Sequence, residues 1–232
     1  MDWKIIHIDE TESTNQWLKE HKQDGCVCVV AEYQTAGRGC GENHWESERG
    51  QNLTFSLLIH PYGTKANKQF RLSMAISLAI CEALGQYIGD VSIKWPNDIY
   101  WRDAKIGGIL IENTLTGHAI SDSIIGIGLN VNQRVFHSSA PNPVSLWQIT
   151  EQETDRKQLL EEILNCFEDY LGRFNKPNYL SMLYRRKGYY PYADKEGAFM
   201  AEIEDVEDDG HLVLRDEDGR LRRYAFKEVS FI

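Results

Sequence analysis

The segment Gly37-Arg38-Gly39-Cys40-Gly41-Glu42-Asn43-His44-Trp45 restricts this chain more than any other. Three glycines within five residues give a backbone free to enter positive φ and to approach a ligand closely. Such a run cannot form a helix or strand interior without cost. It reads as a mobile loop that wraps an anionic group, with Arg38 as the charge and backbone N–H groups as donors. The loop leaves directly from residues 26–33, Cys-Val-Cys-Val-Val-Ala-Glu-Tyr, which read as a buried strand. Ligand loops commonly sit at the ends of such rigid strands. A glycine cluster by itself is equally an ordinary surface turn, so the remaining pattern decides.

Composition narrows the functional classes. The chain has 232 residues, enough for one large domain or a medium and a small one, and a formal net charge of −10. That acidity speaks against a protein whose main task is gripping nucleic acid, but not against small anions held by local cations. The five cysteines are odd in number and contain no Cys-x-x-Cys pair, which argues against a disulfide framework and a structural zinc site and for a cytoplasmic location. The first residues lack a signal-peptide pattern, and no apolar run approaches the roughly 20 residues of a membrane span.

A short strand is expected at 4–8, then a helical pattern at 16–21 behind Ser13-Thr14-Asn15. Ser13 or Thr14 is a plausible N-cap, a ligand-binding group, or both, because a helix N-terminus also offers donors. Residues 52–60 alternate as the next strand, and 70–88 carry apolar residues at helical spacing, with Met74 and Cys81 as core filling. Residues 91–95 form a strand stopped by Pro96, with Asn97 and Asp98 in the turn. Strands at 99–101 and 106–112 make a hairpin whose turn, 102–105, includes Lys105. A strand at 119–132, a helix at 155–174 and a helical patch at 179–187 follow. From 197 onward, four or five short strands joined by Asp208-Asp209-Gly210 and Asp216-Glu217-Asp218-Gly219 read as a small β-barrel of SH3-like size.

Several chemistries are missing. The glycine spacing is not a dinucleotide fingerprint, and there is no phosphate-binding Gly-x-x-x-x-Gly-Lys-[Ser/Thr], nucleophile elbow or zinc helix. What the chain does carry, in order, is 32–39 Glu-Tyr-Gln-Thr-Ala-Gly-Arg-Gly, 94–98 Lys-Trp-Pro-Asn-Asp, 105–112 Lys-Ile-Gly-Gly-Ile-Leu-Ile-Glu and 126–132 Gly-Ile-Gly-Leu-Asn-Val-Asn. With Ser13-Thr14-Asn15 and the terminal 226–231 Phe-Lys-Glu-Val-Ser-Phe, this set resembles the biotin protein ligase family over essentially the whole chain.

The resemblance implies an α+β fold: a mixed sheet with helices on one side, like class II aminoacyl-tRNA synthetases, over residues 1–188, then an SH3-like barrel over 189–232. The chain opens on the first catalytic strand with no helix-turn-helix ahead of it, so the ligase-only type without repressor activity is expected. The implied reaction joins biotin to MgATP as biotinyl-5′-AMP and transfers biotin to a lysine of a biotin carboxyl carrier protein. Neither nucleic acid nor membrane is an expected partner; monomers and homodimers both occur in the family.

By resemblance, Ser13, Thr14, Asn15, Gln34, Gly37, Arg38, Gly39, Lys105, Gly107 and Gly108 form the biotin site. Arg38, Gly39, Cys40, Trp45, Lys94, Asn97 and Asn130 form the ATP site. Arg38 and Lys105 are the principal cations, and Asp98 is assigned to orienting Mg²⁺ or the incoming lysine. Trp95 is a pocket wall or a core residue. One departure stands out: many family members have a second arginine where this chain has Cys40, and glycine where it has Glu42. Arg49 and Arg71 are the nearest substitutes in sequence, and a looser hold on biotinyl-AMP is the expected consequence otherwise. A lipoate or octanoate ligase on the same fold, and a non-catalytic biotin sensor, are the competing readings.

Overall fold

The computed structural model describes residues 1–21, 23–41, 43–137 and 141–232. Its larger part is a seven-stranded sheet in the order β1-β2-β3-β7-β6-β5-β4. β1 (Lys4–Thr11) and β2 (Val27–Gln34) are its one parallel pair. A parallel pair needs a crossover, and α1 (Thr14–Glu20) supplies it. The rest is antiparallel: β3 (Leu53–Ile59), β4 (Val91–Lys94), β5 (Asp98–Trp101), β6 (Ala104–Thr116) and β7 (Ala119–Leu129).

Every residue of β3 is buried, so both faces of the sheet are covered. The alternation of β2 shows how. Cys28 and Val30 enter the main core, with α2 (Phe70–Leu84) and α4 (Arg156–Gly172), while Val27 and Val29 meet Leu18 of α1. Helices thus lie on both faces, which corrects the one-sided arrangement expected above; the apolar edge of α1 requires a partner of its own. Twelve of the fifteen residues of α2 are buried, including Met74 and Cys81. It stops at Leu84, short of the expected residue 88, where the amides of Tyr87 and Ile88 both turn back onto the Leu84 carbonyl.

Two further boundaries differ. The β5–β6 turn is Arg102-Asp103, with Arg102 at φ 50°, so Lys105 is the second residue of a strand and not a turn residue. After the five-residue α3 (Leu146–Thr150), and after α4, the helix α5 is Lys176–Ser181 and not a patch reaching 187. Residues 182–184 leave helical geometry to pair with β4: the Ile93 amide donates to the Met182 carbonyl at 2.8 Å and the Tyr184 amide to the Ile93 carbonyl at 2.8 Å.

The second sheet is wholly antiparallel, ordered β11-β10-β9-β8-β12, from β8 (Tyr190–Asp194), β9 (Gly197–Val206), β10 (Leu212–Asp216), β11 (Leu221–Tyr224) and β12 (Ser230–Phe231). This five-stranded unit fits the expected small barrel, with one more strand than the sequence indicated ahead of residue 197. Gly210 and Gly219 hold φ of 99° and 79° at the two acidic turns. One continuous apolar core runs through both sheets. The seam between them is hydrogen-bonded: Trp95 Nε1 donates to the Gly210 carbonyl at 2.9 Å, the Phe70 amide to the Asp208 carbonyl at 3.2 Å, and Arg71 pairs with Asp208 at 2.7 Å. Among the described residues no helix is long and apolar enough to cross a membrane.

Candidate functional site

A cleft of about 210 Å³ opens over the middle of the larger sheet. Its walls come from the start of α1, the end of β2, the glycine loop, the β4–β5 turn, and strands β6 and β7. The glycine loop folds back on itself as a small hairpin. The Gly39 amide donates to the Asn43 carbonyl at 2.7 Å and the Trp45 amide to the Gly37 carbonyl at 2.9 Å. That fold-back delivers the Trp45 ring onto Gly108 and Gly128, which are direct partners across β6 and β7. A Cβ at Gly128 would lie 2.3 Å from Trp45 Cε2, so the indole occupies the space a side chain would fill. The buried Trp45 Nε1 has no hydrogen-bond partner among the described residues.

Lys105 stands beside the tryptophan. Its ammonium pairs with the Asp98 carboxylate at 2.6 Å and lies 5.8 Å from the centre of the Trp45 ring. A Cβ at Gly108 would lie 3.4 Å from Lys105 Nζ, so glycine there leaves the ammonium room. The backbone of Lys105 is clamped from the far side: its amide donates to the Asn142 carbonyl at 2.8 Å, and its carbonyl accepts from the Val144 amide at 2.9 Å. A bulge between Ile99 and Tyr100 shifts the register just where Asp98 must reach Lys105.

The opposite end of the cleft is a network of neutral polar groups. The Thr14 amide and hydroxyl both donate to Gln34 Oε1, at 2.8 and 3.1 Å. The buried Ser56 hydroxyl lies 2.6 Å from both Thr14 Oγ1 and Asn15 Oδ1. Asn15 Nδ2 donates to Glu112 Oε2 at 2.8 Å. Ser13 occupies the N-cap position of α1, but its side chain makes no capping bond, leaving the hydroxyl to line the cleft. Burial pushes the Glu112 carboxyl up. Hydrogen bonds from Lys19 and Asn15, with the charges of Lys19 and Arg38, outweigh that and hold it below its ordinary value. Arg38 lies 4.0 Å from Glu112 with nearly half of its side chain exposed, so its guanidinium remains available to an anion.

The fold therefore gathers Ser13, Thr14, Asn15, Gln34, Arg38, Gly39, Cys40, Trp45, Asn97, Asp98, Lys105 and Gly108 around one space. The other expected residues stand back from it. Gly37 and Gly107 serve as spacers: a Cβ at the first would meet the Trp45 carbonyl at 2.6 Å, and at the second the Leu129 side chain at 3.0 Å. Asn130 is buried, its Nδ2 donating to the Val144 carbonyl at 3.1 Å, so it supports the segment that clamps Lys105. Lys94 is not among the residues lining the cleft. Its ammonium donates to Tyr100 Oη at 2.9 Å and faces the rings of Tyr100, Phe231 and Tyr184 at 4.7, 5.5 and 6.0 Å. Burial lowers its pKa, which the Asp98 charge only partly offsets. Asn97 lines the cleft, but its Nδ2 is used on the Ile109 carbonyl at 2.7 Å. Trp95 is a core residue.

Neither substitute cation reaches the cleft. Arg49 pairs with Asp9 and Glu10 and covers the Tyr33 ring, and Arg71 is held by Asp208 and Phe174. Glu42 lies outside the described residues. Ser56, Glu112, Asn43, His44 and Phe226 were not picked out as site residues. A serine flanked by Phe55 and Leu57 in the buried strand β3 was a usable signal for Ser56; Phe226 comes from the second sheet and had none nearby. Among the described residues the one cluster suited to hold a metal ion is Glu207, Asp209 and His211, in the second sheet and ion-paired to Arg223. Among the described residues the cleft's lining contains a single carboxylate, Asp98, already engaged by Lys105.

Residues 5–130 match the model of the "Biotin/lipoate A/B protein ligase family". The bifunctional ligase/repressor BirA of Escherichia coli is 34% identical over 94% of this chain and 71% of its own length. The biotin–[acetyl-CoA-carboxylase] ligase of Paracoccus denitrificans is 28% identical over 92% of this chain and 95% of its own. The structure of the biotin protein ligase from Aquifex aeolicus in complex with biotin and ATP superposes with a TM-score of 0.81 at 28% identity, covering 98% of both chains.

Proposed function

The chain belongs to the biotin/lipoate A/B protein ligase family, and we propose that it is a biotin protein ligase that makes biotinyl-5′-AMP from biotin and MgATP and passes biotin to a lysine of a biotin carboxyl carrier protein. The observation that carries this is the meeting, in one cleft, of the neutral set Ser13, Thr14 and Gln34 with the two cations Arg38 and Lys105.

The chemistry asks for that division. In the first step a biotin carboxylate oxygen attacks the α-phosphorus of ATP and pyrophosphate leaves. Two anions must approach, so positive charge has to be fixed where they meet. Lys105, braced by Asp98 and by the 142–144 segment, is placed for the carboxylate. Arg38 and the amides of the glycine loop are placed for the phosphate. The neutral hydroxyl and amide groups at the other end suit an uncharged, hydrogen-bonding ring. In the second step the carrier lysine's nitrogen attacks the acyl carbon, AMP leaves, and the nitrogen gives up its proton. No covalent enzyme intermediate is required, and among the described residues neither Ser13 nor Cys40 of the cleft is paired with a base. Trp45, over the floor glycines, limits water access to the mixed anhydride. Magnesium arrives with ATP as part of the substrate; the one carboxylate lining the cleft among the described residues, Asp98, is paired with Lys105.

Transfer of labelled biotin to an apo carrier domain, with MgATP, tests this directly. Wild type transfers label and Lys105→Ala loses nearly all transfer. Equal or better transfer of lipoate would refute the substrate assignment. Biotin binding without any biotin-dependent ATP–pyrophosphate exchange would establish a sensor.

A further inference from the structure

The chain between β2 and β3 has two halves that are held differently. Residues 37–45 close on one another through the hairpin bonds described above, whereas residues 46–52 are stitched to the chain that leaves β7. The stitching centres on Gln133, which is fully buried just beyond the end of that strand. A buried carboxamide is costly unless both of its ends are bonded, and here both are. Its Oε1 accepts from the Glu48 amide at 3.1 Å and from Asn52 Nδ2. Its Nε2 donates to Glu46 Oε1 at 3.3 Å and to the Val135 carbonyl at 2.9 Å.

The neighbours of Gln133 repeat the pattern. The Asn132 amide donates to the Gln51 carbonyl at 2.8 Å, the Val131 amide to Asn52 Oδ1 at 3.0 Å, and the His137 amide to Glu46 Oε1 at 2.8 Å. Arg156 of α4 holds both feet of the β2–β3 connection, donating to Glu32 Oε2 at 2.9 Å and to the Asn52 carbonyl at 3.1 Å. On its other side the Gln133 carbonyl accepts from the buried Ser145 hydroxyl at 2.6 Å. Ser145 caps α3 and directly follows residues 142–144, which grip the Lys105 backbone. Gln133 therefore stands between the arm that leads to Trp45 and the segment behind Lys105. Trp45 is the last residue of the self-bonded hairpin, and Glu46, the next in the chain, is already tied to Gln133.

We propose that Gln133 is a positioning residue for the ligase reaction: it fixes the arm from which Trp45 projects against the 142–145 segment, and so holds the indole and the Lys105 ammonium at the spacing, 5.8 Å from ring centre to Nζ, that covers the mixed anhydride. The inference rests on the ligase reading and deepens it. Gln133 acts through Glu46 and Ser145 and is not part of the cleft lining. Residues 37–44 are left free to adjust to a ligand while the tryptophan stays seated.

The test compares wild type, Gln133→Met, Glu46→Ala and Glu46→Gln. Methionine fills the space of glutamine without its amide. Alanine at 46 removes the acceptor on the arm and leaves the other bonds of Gln133 in place. Glutamine at 46 keeps an oxygen able to accept from both Gln133 and His137. The first readout is AMP released per biotin transferred, with saturating MgATP and biotin and an apo carrier domain. Water attacking the acyl carbon of biotinyl-AMP displaces AMP and returns free biotin, so a displaced Trp45 raises this ratio. The ratio does not depend on how much of the enzyme is folded, so a loss of fold alone does not move it. It rises about tenfold in Gln133→Met and Glu46→Ala, the scale of one buried hydrogen bond lost, and stays within about twofold in Glu46→Gln. The second readout is hydrogen exchange of the amides of residues 46–52, which quickens about tenfold in the first two variants while β3 and β7 keep their protection. A ratio unchanged in both Gln133→Met and Glu46→Ala, or raised as much by glutamine as by alanine at 46, overturns the proposal. If wild type forms no biotinyl-AMP, the ligase reading falls. The Gln133 assignment is then decided by hydrogen exchange, where equal rates in wild type and Gln133→Met overturn it.

Discussion

Gly128→Ala isolates the part played by Trp45. The added Cβ would lie 2.3 Å from Trp45 Cε2, 2.6 Å from Nε1 and 2.7 Å from Cδ2, so the ring cannot remain. Ordinary contact begins near 3.4 Å; the indole must withdraw by roughly 1 Å, a displacement that costs on the order of 100-fold in rate when it misplaces a catalytic surface. The fold itself should not suffer. Gly128 is the penultimate residue of β7, paired with Gly108 and Thr54, with φ outside the left-handed region. Alanine in an extended strand gains roughly 0.5–1 kcal/mol in backbone entropy over glycine. The expected result is a 10- to 100-fold fall in biotin-dependent ATP–pyrophosphate exchange by that displacement argument, with a denaturation midpoint equal to or above wild type. Gly172→Ala, which meets nothing within 4 Å, is the control and leaves exchange unchanged. The decisive comparison is a double-mutant cycle. In a Trp45→Ala background the clashing ring is gone, so Gly128→Ala adds almost nothing. Additive losses would refute the claim that the glycine acts by seating the indole, and so would full exchange in the single variant.

Other expectations follow from the same geometry. Asp98→Asn frees Lys105 from its 2.6 Å ion pair; exchange falls at least tenfold while biotin affinity changes less, both about at the level of a lost charge-assisted bond, and equal losses in the two would put Asp98 in biotin binding instead. Glu112 is held low, so its contribution is complete above its unfolded value and disappears as pH falls through the folded one. Wild type therefore loses stability below about pH 4, and Glu112→Gln shows a flatter acid limb in urea midpoints; superimposable limbs would disprove the linkage. Lys94→Met leaves the ATP KM within about twofold but lowers the thermal midpoint, because the ammonium is packed among Tyr100, Tyr184 and Phe231; a raised KM at unchanged midpoint would return Lys94 to the nucleotide site.

These outcomes separate what could be read along the chain from what could not. The cleft was legible wherever a run of neighbours shares one turn or strand end: 13–15 at the start of α1, 37–45 in the glycine loop, 96–98 at the β4–β5 turn. Local chemistry and local geometry coincide there. It was illegible where strand alternation or long-range packing chooses a side. Lys94 and Asp98 are four residues apart and directly paired across β4 and β5, yet one ammonium goes to an aromatic cage and one carboxylate to Lys105. The cage needs Tyr184 and Phe231, and nothing near residue 94 signals either. Lys105 was read as a turn residue because four polar and small residues precede the next apolar run. Arg102 adopts positive φ, which lets two residues close the turn and moves Lys105 into a strand.

The second sheet is where sequence order misleads most. Its acidic turns and short strands describe a separate small unit, and a separate unit suggests a separate job. The contacts instead tie it into the cleft from two sides. Trp95, next to the cleft turn, donates to Gly210, and Lys94 packs on Phe231, so the β4–β5 turn that carries Asp98 is anchored in the second sheet. Phe226 lines the other side, beside the glycine loop. A hairpin loop rich in glycine has little packing of its own to define its position. Placing a wall residue on a rigid neighbouring sheet adds to that definition without stiffening the loop, so that removing the second sheet should disturb nucleotide handling before it disturbs the hydrogen-bonded set around Thr14 and Gln34.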